Sequence, residues 1–403
     1  MNIKLCFITL KNRFYLDDDI LISSNFLWYE DDKILGFEFR EFKKIIFIGF
    51  KSTEKFDGYI YSTGAKSGIS VIGPSFKGER RYILDRLINI FLTLKEVWKN
   101  RRILKDVDLV FAPFFEYVFF EFLLLRFIAR KAKFILYVIG DYPELNYRKK
   151  KNLFYKMFLL SALNFSIRLS SEAWFISEYL LRKYGTRKSV MVRSSRIKDA
   201  DILTTHIKRF SAPYTLVYVG RITEDKNPML LPLILYEVIN HKKLDVRLRI
   251  IGDGPLRGRL IESFQRLNLI EFVDFHGWVK DKESLLSILD ESHILVLTSI
   301  SEGTPLVFFE SFARGLVVVS TNFPGAEEVV KEHINGYLID CDKSNDTVAV
   351  KFAQKIEFLI TNPEIYEQIS RNNIERAKEW TIEKITREYR KRIERLLNIN
   401  TNT

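Results

Sequence analysis

Residues 215–228 read TLVYVGRITEDKNP: an apolar, β-branched run that stops at Gly220, then a short polar loop holding Arg221 and Lys226 ahead of Pro228. The same device recurs downstream. RLRIIG (247–252), VDFHG (273–277), ILVLTS (294–299), LVVVST (316–321) and GYLID (336–340) are each a short apolar run ended by small or polar residues, with helix-length segments between them. Runs of four to six apolar residues are too short for helices and match strands buried on both faces. Their alternation with helices predicts a parallel, doubly wound sheet, whose ligands sit at the carboxyl ends of the strands.

Upstream the pattern is rougher. Asn2–Leu10, Ile45–Phe50, Leu109–Ala112 and Phe134–Ile139 read as strands, with Arg81–Asn100 and Phe115–Lys131 as the clearest helices. The polar stretch KDADILTTHIKRFSAP (198–213) reads as a linker. A chain of 403 residues exceeds the roughly 250–300 residues that one core supports. The expected architecture is therefore α/β: two Rossmann-like doubly wound parallel-sheet domains facing across a cleft, at 1–205 and 212–380, with a charged helix and tail at 381–403.

Composition narrows the function classes. Hydrophobic residues at 47% against 28% charged describe a packed globular protein. Cys6 and Cys341 are the two cysteines, too few for a disulfide framework or a cysteine-based zinc site, and they fit a reducing compartment. The segment MNIKLCFITL lacks the apolar core and cleavage site of a signal peptide, and Leu109–Ile139 is broken by Glu116, Glu121, Arg126, Arg130, Lys131 and Lys133. A cytoplasmic protein without a membrane span is expected. The net charge of +12 implies an anionic partner. Neither zinc-finger spacing nor an aromatic RNA-binding strand is present, so nucleic acid is not expected.

The chemistry gathers at the strand ends. An Arg and a Lys five residues apart on the loop after Gly220 can clamp a diphosphate. IIGDGPLRGRL (250–260) makes a permissive turn at Gly252, Gly254 and Pro255, without the spacing of a dinucleotide fingerprint. Phe275-His276-Gly277-Trp278-Val279 could read a base edge. SEGTPLVFFE (301–310) is the strongest signal. Gly303, Thr304, Pro305 and Leu306 lead into a helix whose N–H groups can receive phosphate oxygens. Glu302 and Glu310 are separated by seven residues, and Glu310 interrupts an apolar run, so it needs a partner if buried.

From about 215 to 380 the chain resembles the donor domain of family 4 glycosyltransferases, matching in order VGRITEDKNP, IGDGPLR, FHGWV, SEGTPLVFFE, and PGAEEVV with NGYLI. The resemblance implies a GT-B fold and a retaining transfer of sugar from a nucleoside-diphosphate sugar. It assigns Arg221 and Lys226 to the donor phosphates, Glu310 to the ribose, Glu302 to the transferred sugar, Gly303–Leu306 to sugar and phosphate, and the Gly277-Trp278 turn to the base. It implies no metal for donor binding and no other cofactor, with a glycan, glycolipid or lipid-linked acceptor.

The N-terminal half departs from the family pattern. No glycine follows the first strand, where KNRFYLDDD (11–19) stands, and the nearest candidates are Gly64 and Gly68. Gly140-Asp141 occupies the strand end where a His is frequent, which leaves Asp141 as the polar catalytic candidate. A glycosidase using Glu302 and Glu310 as its carboxyl pair would leave the cationic loop without a purpose. A catalytically inactive subunit of the same fold, acting in binding or assembly, is the alternative to an enzyme. Finally, Phe115–Lys131 reads as a helix buried against the sheet, whereas Arg148-Lys149-Lys150-Lys151 reads as a contact to an anionic membrane surface, making the protein peripheral on the inner face of the cell membrane.

Overall fold

The structure, a computed structural model, describes residues 3–17, 20–23, 33–35, 37–38, 41–52, 59–62, 69–76, 86–115, 118–144, 152–204, 210–341 and 344–399. The chain forms two compact units: Met1–Arg193 with Glu383–Thr403, and Ser194–Ile382. The crossing at Arg193/Ser194 lies upstream of the linker expected from composition. Ile202 is buried in the core of the second unit and the Leu203 N–H donates to the Ala313 carbonyl at 3.0 Å, so the described start of this polar stretch, 198–204, is packed structure.

In the second unit six parallel strands lie in the order Val273–Gly277, Val246–Ile251, Tyr214–Val219, Ile294–Leu297, Val317–Thr321, Gly336–Ile339. In chain order that is 3-2-1-4-5-6, the winding of dinucleotide-binding sheets. Two apolar clusters cover its two faces, one beneath Leu231–Tyr236 and Asn345–Thr361, the other beneath Leu306–Ala313. The direction of winding reverses between Tyr214–Val219 and Ile294–Leu297, and the crevice at their carboxyl ends is the expected ligand position.

The first unit is also wound around a parallel series: Ile69–Ile72, Phe42–Ser52, Ile3–Asp17, Leu109–Pro113, Lys133–Val138, Glu172–Phe175, Ser189–Met191. It is not purely parallel. Strand Ile3–Asp17 runs fifteen residues and doubles back into Ile20–Ser23, which pairs in turn with Tyr59–Ser62, both antiparallel. The charged C-terminal helix Ile382–Leu396 joins this unit. Ile385, Tyr389 and Ile393 form its buried stripe, Tyr389 packs on Trp174 with ring centroids 4.9 Å apart, and Arg390 grips Glu41 through both carboxylate oxygens at 2.8 and 2.9 Å.

Candidate functional site: a charged loop pair at the reversal of the sheet

The loop after Tyr214–Val219 is shaped by its neighbours. Gly220 N–H donates to the Ile251 carbonyl (3.0 Å), Gly252 N–H to the Gly277 carbonyl (2.7 Å), and Ile222 N–H to the Asp253 carbonyl (2.9 Å), so three adjacent strand ends are stapled together. Gly252 adopts φ +136°, and a Cβ there would overlap the Gly220 carbonyl. Its glycine is therefore required by the close approach of two loops. Gly277 holds φ +65° with open space around it, and Trp278 beside it is 62% exposed.

Across the reversal the loop is tied to the one that follows Ile294–Leu297. The Thr298 hydroxyl donates to the Lys226 carbonyl at 2.8 Å, and the Ile300 N–H to the Asp225 carbonyl at 3.0 Å. These bonds set Lys226 against Glu302, ammonium to carboxylate at 2.6 Å, and the Ser299 hydroxyl donates to the same carboxylate oxygen at 2.5 Å. Both side chains of the pair are largely buried. Arg221 is more open and contacts Asp225 at 3.0 Å. Burial raises the Asp225 carboxyl, but the nearby Thr223 hydroxyl and the Arg221 charge outweigh it and hold the group below the ordinary range.

Gly303, Thr304 and Pro305 lead directly into the helix Leu306–Ala313, which starts at Pro305 without a side-chain cap. Gly325 nests against this loop so tightly that a Cβ would meet the Gly303 carbonyl. One turn into the helix stands Glu310, 7% exposed. Burial pushes its carboxyl above the ordinary carboxylate range; the charges of Arg196 and Lys282 pull it back, and Asp201 adds to the rise. Those three residues were not singled out from the sequence. Asp201 lies in the polar stretch that reads as a linker, Arg196 just ahead of it, and Lys282 opens a helix capped by Asp281, which accepts from the Ser284 N–H at 2.7 Å. Lys282 donates to the Arg196 carbonyl at 2.7 Å and is paired with Asp201.

Asp141 belongs to the first unit and is fully engaged. Its carboxylate takes Lys183 at 2.6 Å, the Tyr184 hydroxyl at 2.7 Å, and the Tyr179 hydroxyl and Glu144 N–H at 3.2 Å each. Burial raises this carboxyl, yet the bonds from Lys183 and Tyr184 and the Lys183 charge outweigh it and leave it below the ordinary range. A carboxylate so engaged anchors the helix Glu178–Tyr184 at the strand end where the sequence places its polar candidate. Gly64, Gly68 and the basic run 148–151 lie outside the described residues. Among the described residues, no group of three or more His, Cys, Asp or Glu side chains is arranged to hold a metal ion.

The second unit thus gathers Arg221, Lys226 and Glu302 on loops, and Glu310 on the following helix, at the reversal of a 3-2-1-4-5-6 sheet. Residues 204–376 match the family model of glycosyl transferases group 1. Over 190 residues, 47% of this chain and 50% of the relative, the sequence is 27% identical to a Campylobacter jejuni protein named GalNAc-alpha-(1->4)-GalNAc-alpha-(1->3)-diNAcBac-PP-undecaprenol alpha-1,4-N-acetyl-D-galactosaminyltransferase. The chain spans about half the length of the first curated relatives it matches. Among solved structures, sucrose-phosphate synthase from Thermosynechococcus elongatus aligns over 99% of this chain and 100% of its own at TM-score 0.70 and 15% identity. Anabaena Alr3699/HepE, solved in complex with UDP, aligns over 98% and 100% at TM-score 0.67, again at 15% identity. The fold is thus the GT-B fold of two parallel-sheet α/β domains.

Proposed function

We propose that the protein is a retaining glycosyltransferase of family 4 type, moving a sugar from a nucleoside-diphosphate sugar to a glycan, glycolipid or lipid-linked acceptor in the cytoplasm. The observation that carries this reading is the Lys226–Glu302 pair at 2.6 Å, held between two loops at the reversal of the sheet, with Arg221 on the same loop. Rupture of the bond from anomeric carbon to diphosphate leaves negative charge on the leaving oxygens. Arg221 and Lys226 stabilise that charge where it develops, without a metal ion, and the N–H groups at the start of Leu306–Ala313 add to it.

On this reading Lys226 exchanges part of its contact with Glu302 for the diphosphate, which frees Glu302 toward the sugar. Glu310 accepts the ribose hydroxyls. Its burial makes an unoccupied site costly, so the carboxylate gains from a ligand that supplies hydrogen-bond donors. Gly220, Gly252 and Gly277 keep the backbone low beside the nucleotide, and Trp278 offers an open aromatic face for the base. Support for the acceptor class comes from relatives: the Campylobacter jejuni protein above is named for an undecaprenol-linked substrate. The test is release of nucleoside diphosphate from UDP-, GDP- and ADP-sugars by the purified chain, with and without a lipid-phosphate extract. Turnover of a donor supports the enzyme. No turnover with any donor, combined with tight nucleotide binding, would support a binding subunit instead.

A further inference from the structure

The helices Arg86–Lys99, Val118–Ile128 and Leu153–Leu169 of the first unit pack side by side, and each is a crossover between parallel strands, so the three run in one direction. Their inner stripes are buried as expected: Thr93 and Val97 on the first, Val118, Phe122 and Leu125 on the second, Leu159, Leu163 and Ile167 on the third. Their outer stripes are apolar too. Ile88, Phe91 and Trp98 recur at helical spacing on the first helix, Phe120 and Phe127 on the second, and Phe154, Met157, Phe158 and Phe165 on the third. Phe154 is 90% exposed and Phe91 67%. Of the sixteen large apolar residues exposed among the described residues, eleven lie between Ile88 and Phe165.

Expected burial of Phe115–Lys131 therefore holds for one face of the helix only. The aromatic rings reach from the second helix to the third, with Phe119 against Phe158 (6.1 Å) and Phe165 (6.4 Å), and the first helix packs alongside the second. Cations gather at the C-terminal ends: Lys99, Arg101 and Arg102 after the first helix, Arg130 and Lys131 after the second, Arg168 on the third, all exposed. Arg101 lies over Trp98 at 5.1 Å and Arg130 over Phe127 at 4.9 Å. Residues 86–104, 118–131 and 153–169 hold ten Lys or Arg against two Glu, and one of those, Glu121, is buried.

We propose that this three-helix face docks on an anionic membrane surface, its Phe, Met and Trp tips at the acyl boundary and its Arg and Lys edge on lipid phosphates. An aqueous surface rarely keeps so large an apolar patch uncovered. Apolar tips interleaved with cations match the chemistry of an interfacial bilayer contact. A second copy would bring a like-charged edge and a net charge of +12 against the same charge, which disfavours it. Among the described residues no helix is long and apolar enough to cross a membrane. The inference stands on this face alone and is independent of the donor site.

Flotation of the full chain with vesicles of phosphatidylglycerol and phosphatidylcholine tests it, with phosphatidylcholine vesicles and added salt as arms that need no variant. Binding should require the anionic lipid and weaken severalfold as salt screens the charges. The double variant Phe91→Glu/Phe154→Glu should abolish flotation, and Arg101→Gln/Arg102→Gln/Arg130→Gln should reduce it severalfold. Since these side chains are exposed, melting temperature and nucleoside-diphosphate binding should stay unchanged, which separates loss of docking from loss of the donor site. Wild-type protein that ignores vesicles, or floats equally on neutral lipid in high salt, overturns the proposal. So does a dimer without flotation that Phe154→Glu splits, since the face would then be covered by a second copy.

Discussion

The two units wind their parallel strands through the same reversal, yet they keep their charges in opposite places. In Ser194–Ile382 the charged groups stand at the carboxyl ends of the strands, where Lys226, Glu302 and Arg221 face open loops and Glu310 lies buried one turn behind. In the first unit Asp141, a charged group at a strand end, is instead saturated by donors from Glu178–Tyr184 and its neighbours. What distinguishes the first unit is its outer helical face, aromatic at one stripe and cationic at one end. On the two proposals made above, one topology supports two tasks, set by loops in one unit and by helix surfaces in the other.

The largest effect that would sharpen this contrast is on turnover. Arg221→Ala and Lys226→Ala should each lower it by about a hundredfold or more, because a preorganised contact to developing charge is lost. They should part on stability. Arg221 is exposed and its removal should leave melting unchanged, whereas Lys226→Ala leaves the part-buried Glu302 without its cation and should lower the melting temperature. Wild-type turnover in either variant breaks the assignment of the loop.

Asp141→Asn should act on folding, not on transfer. Loss of the charge that holds Lys183 should cost about 1–3 kcal/mol, less than a fully buried pair because Lys183 is partly exposed. The folded carboxyl titrates below its unfolded value, so this stability is present above the ordinary Asp pKa and lost as pH falls through the lower folded value. Equilibrium denaturation at pH 7 and pH 3 reads it: the gap between wild type and variant should close in acid. A large fall in turnover at unchanged stability would return Asp141 to a catalytic role.

Glu121 gives a change of opposite sign. It is wholly buried on the helix Val118–Ile128, neither carboxyl oxygen has a hydrogen-bond partner, and burial pushes its pKa up to about 8. A folded pKa above the unfolded one gives stability present below the unfolded value and lost as pH rises toward 8. Glu121→Gln removes that titration, so its melting temperature should gain on wild type between pH 5 and pH 8.5. An unchanged difference across that range contradicts the burial.

Smaller still is the division between the two glutamates. Glu310→Gln should weaken nucleoside-diphosphate binding, while Glu302→Gln should chiefly slow transfer; equal weakening of binding by both, seen in titration calorimetry, would merge their roles.

Much of the second unit is legible in its sequence because buried parallel strands are short unbroken apolar runs and their loops carry glycines and charges at fixed places. What is not legible is contact across the sheet. Nothing local tells that Lys226 meets Glu302, 76 positions on, since hydrogen bonds from Thr298 and Ile300 create that meeting. Asp201 looks like linker because its stretch is polar, and the packing of Ile202 shows otherwise. In the first unit, a helix apolar on all sides reads as buried, and the sequence cannot say which side its neighbours leave uncovered. The departure of the C-terminal helix to the first unit is likewise decided by partners, Glu41 and Trp174, more than two hundred residues away.

The most direct test of the central claim is a thermal-shift titration of the chain with UDP, GDP, ADP and CDP. A ligand that binds the native state a hundredfold above its Kd stabilises it by about 2.7 kcal/mol, a rise of several degrees for a domain of this size. At least one of the four should raise the melting temperature of the wild type in this way, and Lys226→Ala and Glu310→Gln should each blunt that rise. Four nucleotides without effect on the wild type, or a rise that both variants keep in full, would contradict a diphosphate site at the reversal of the second sheet.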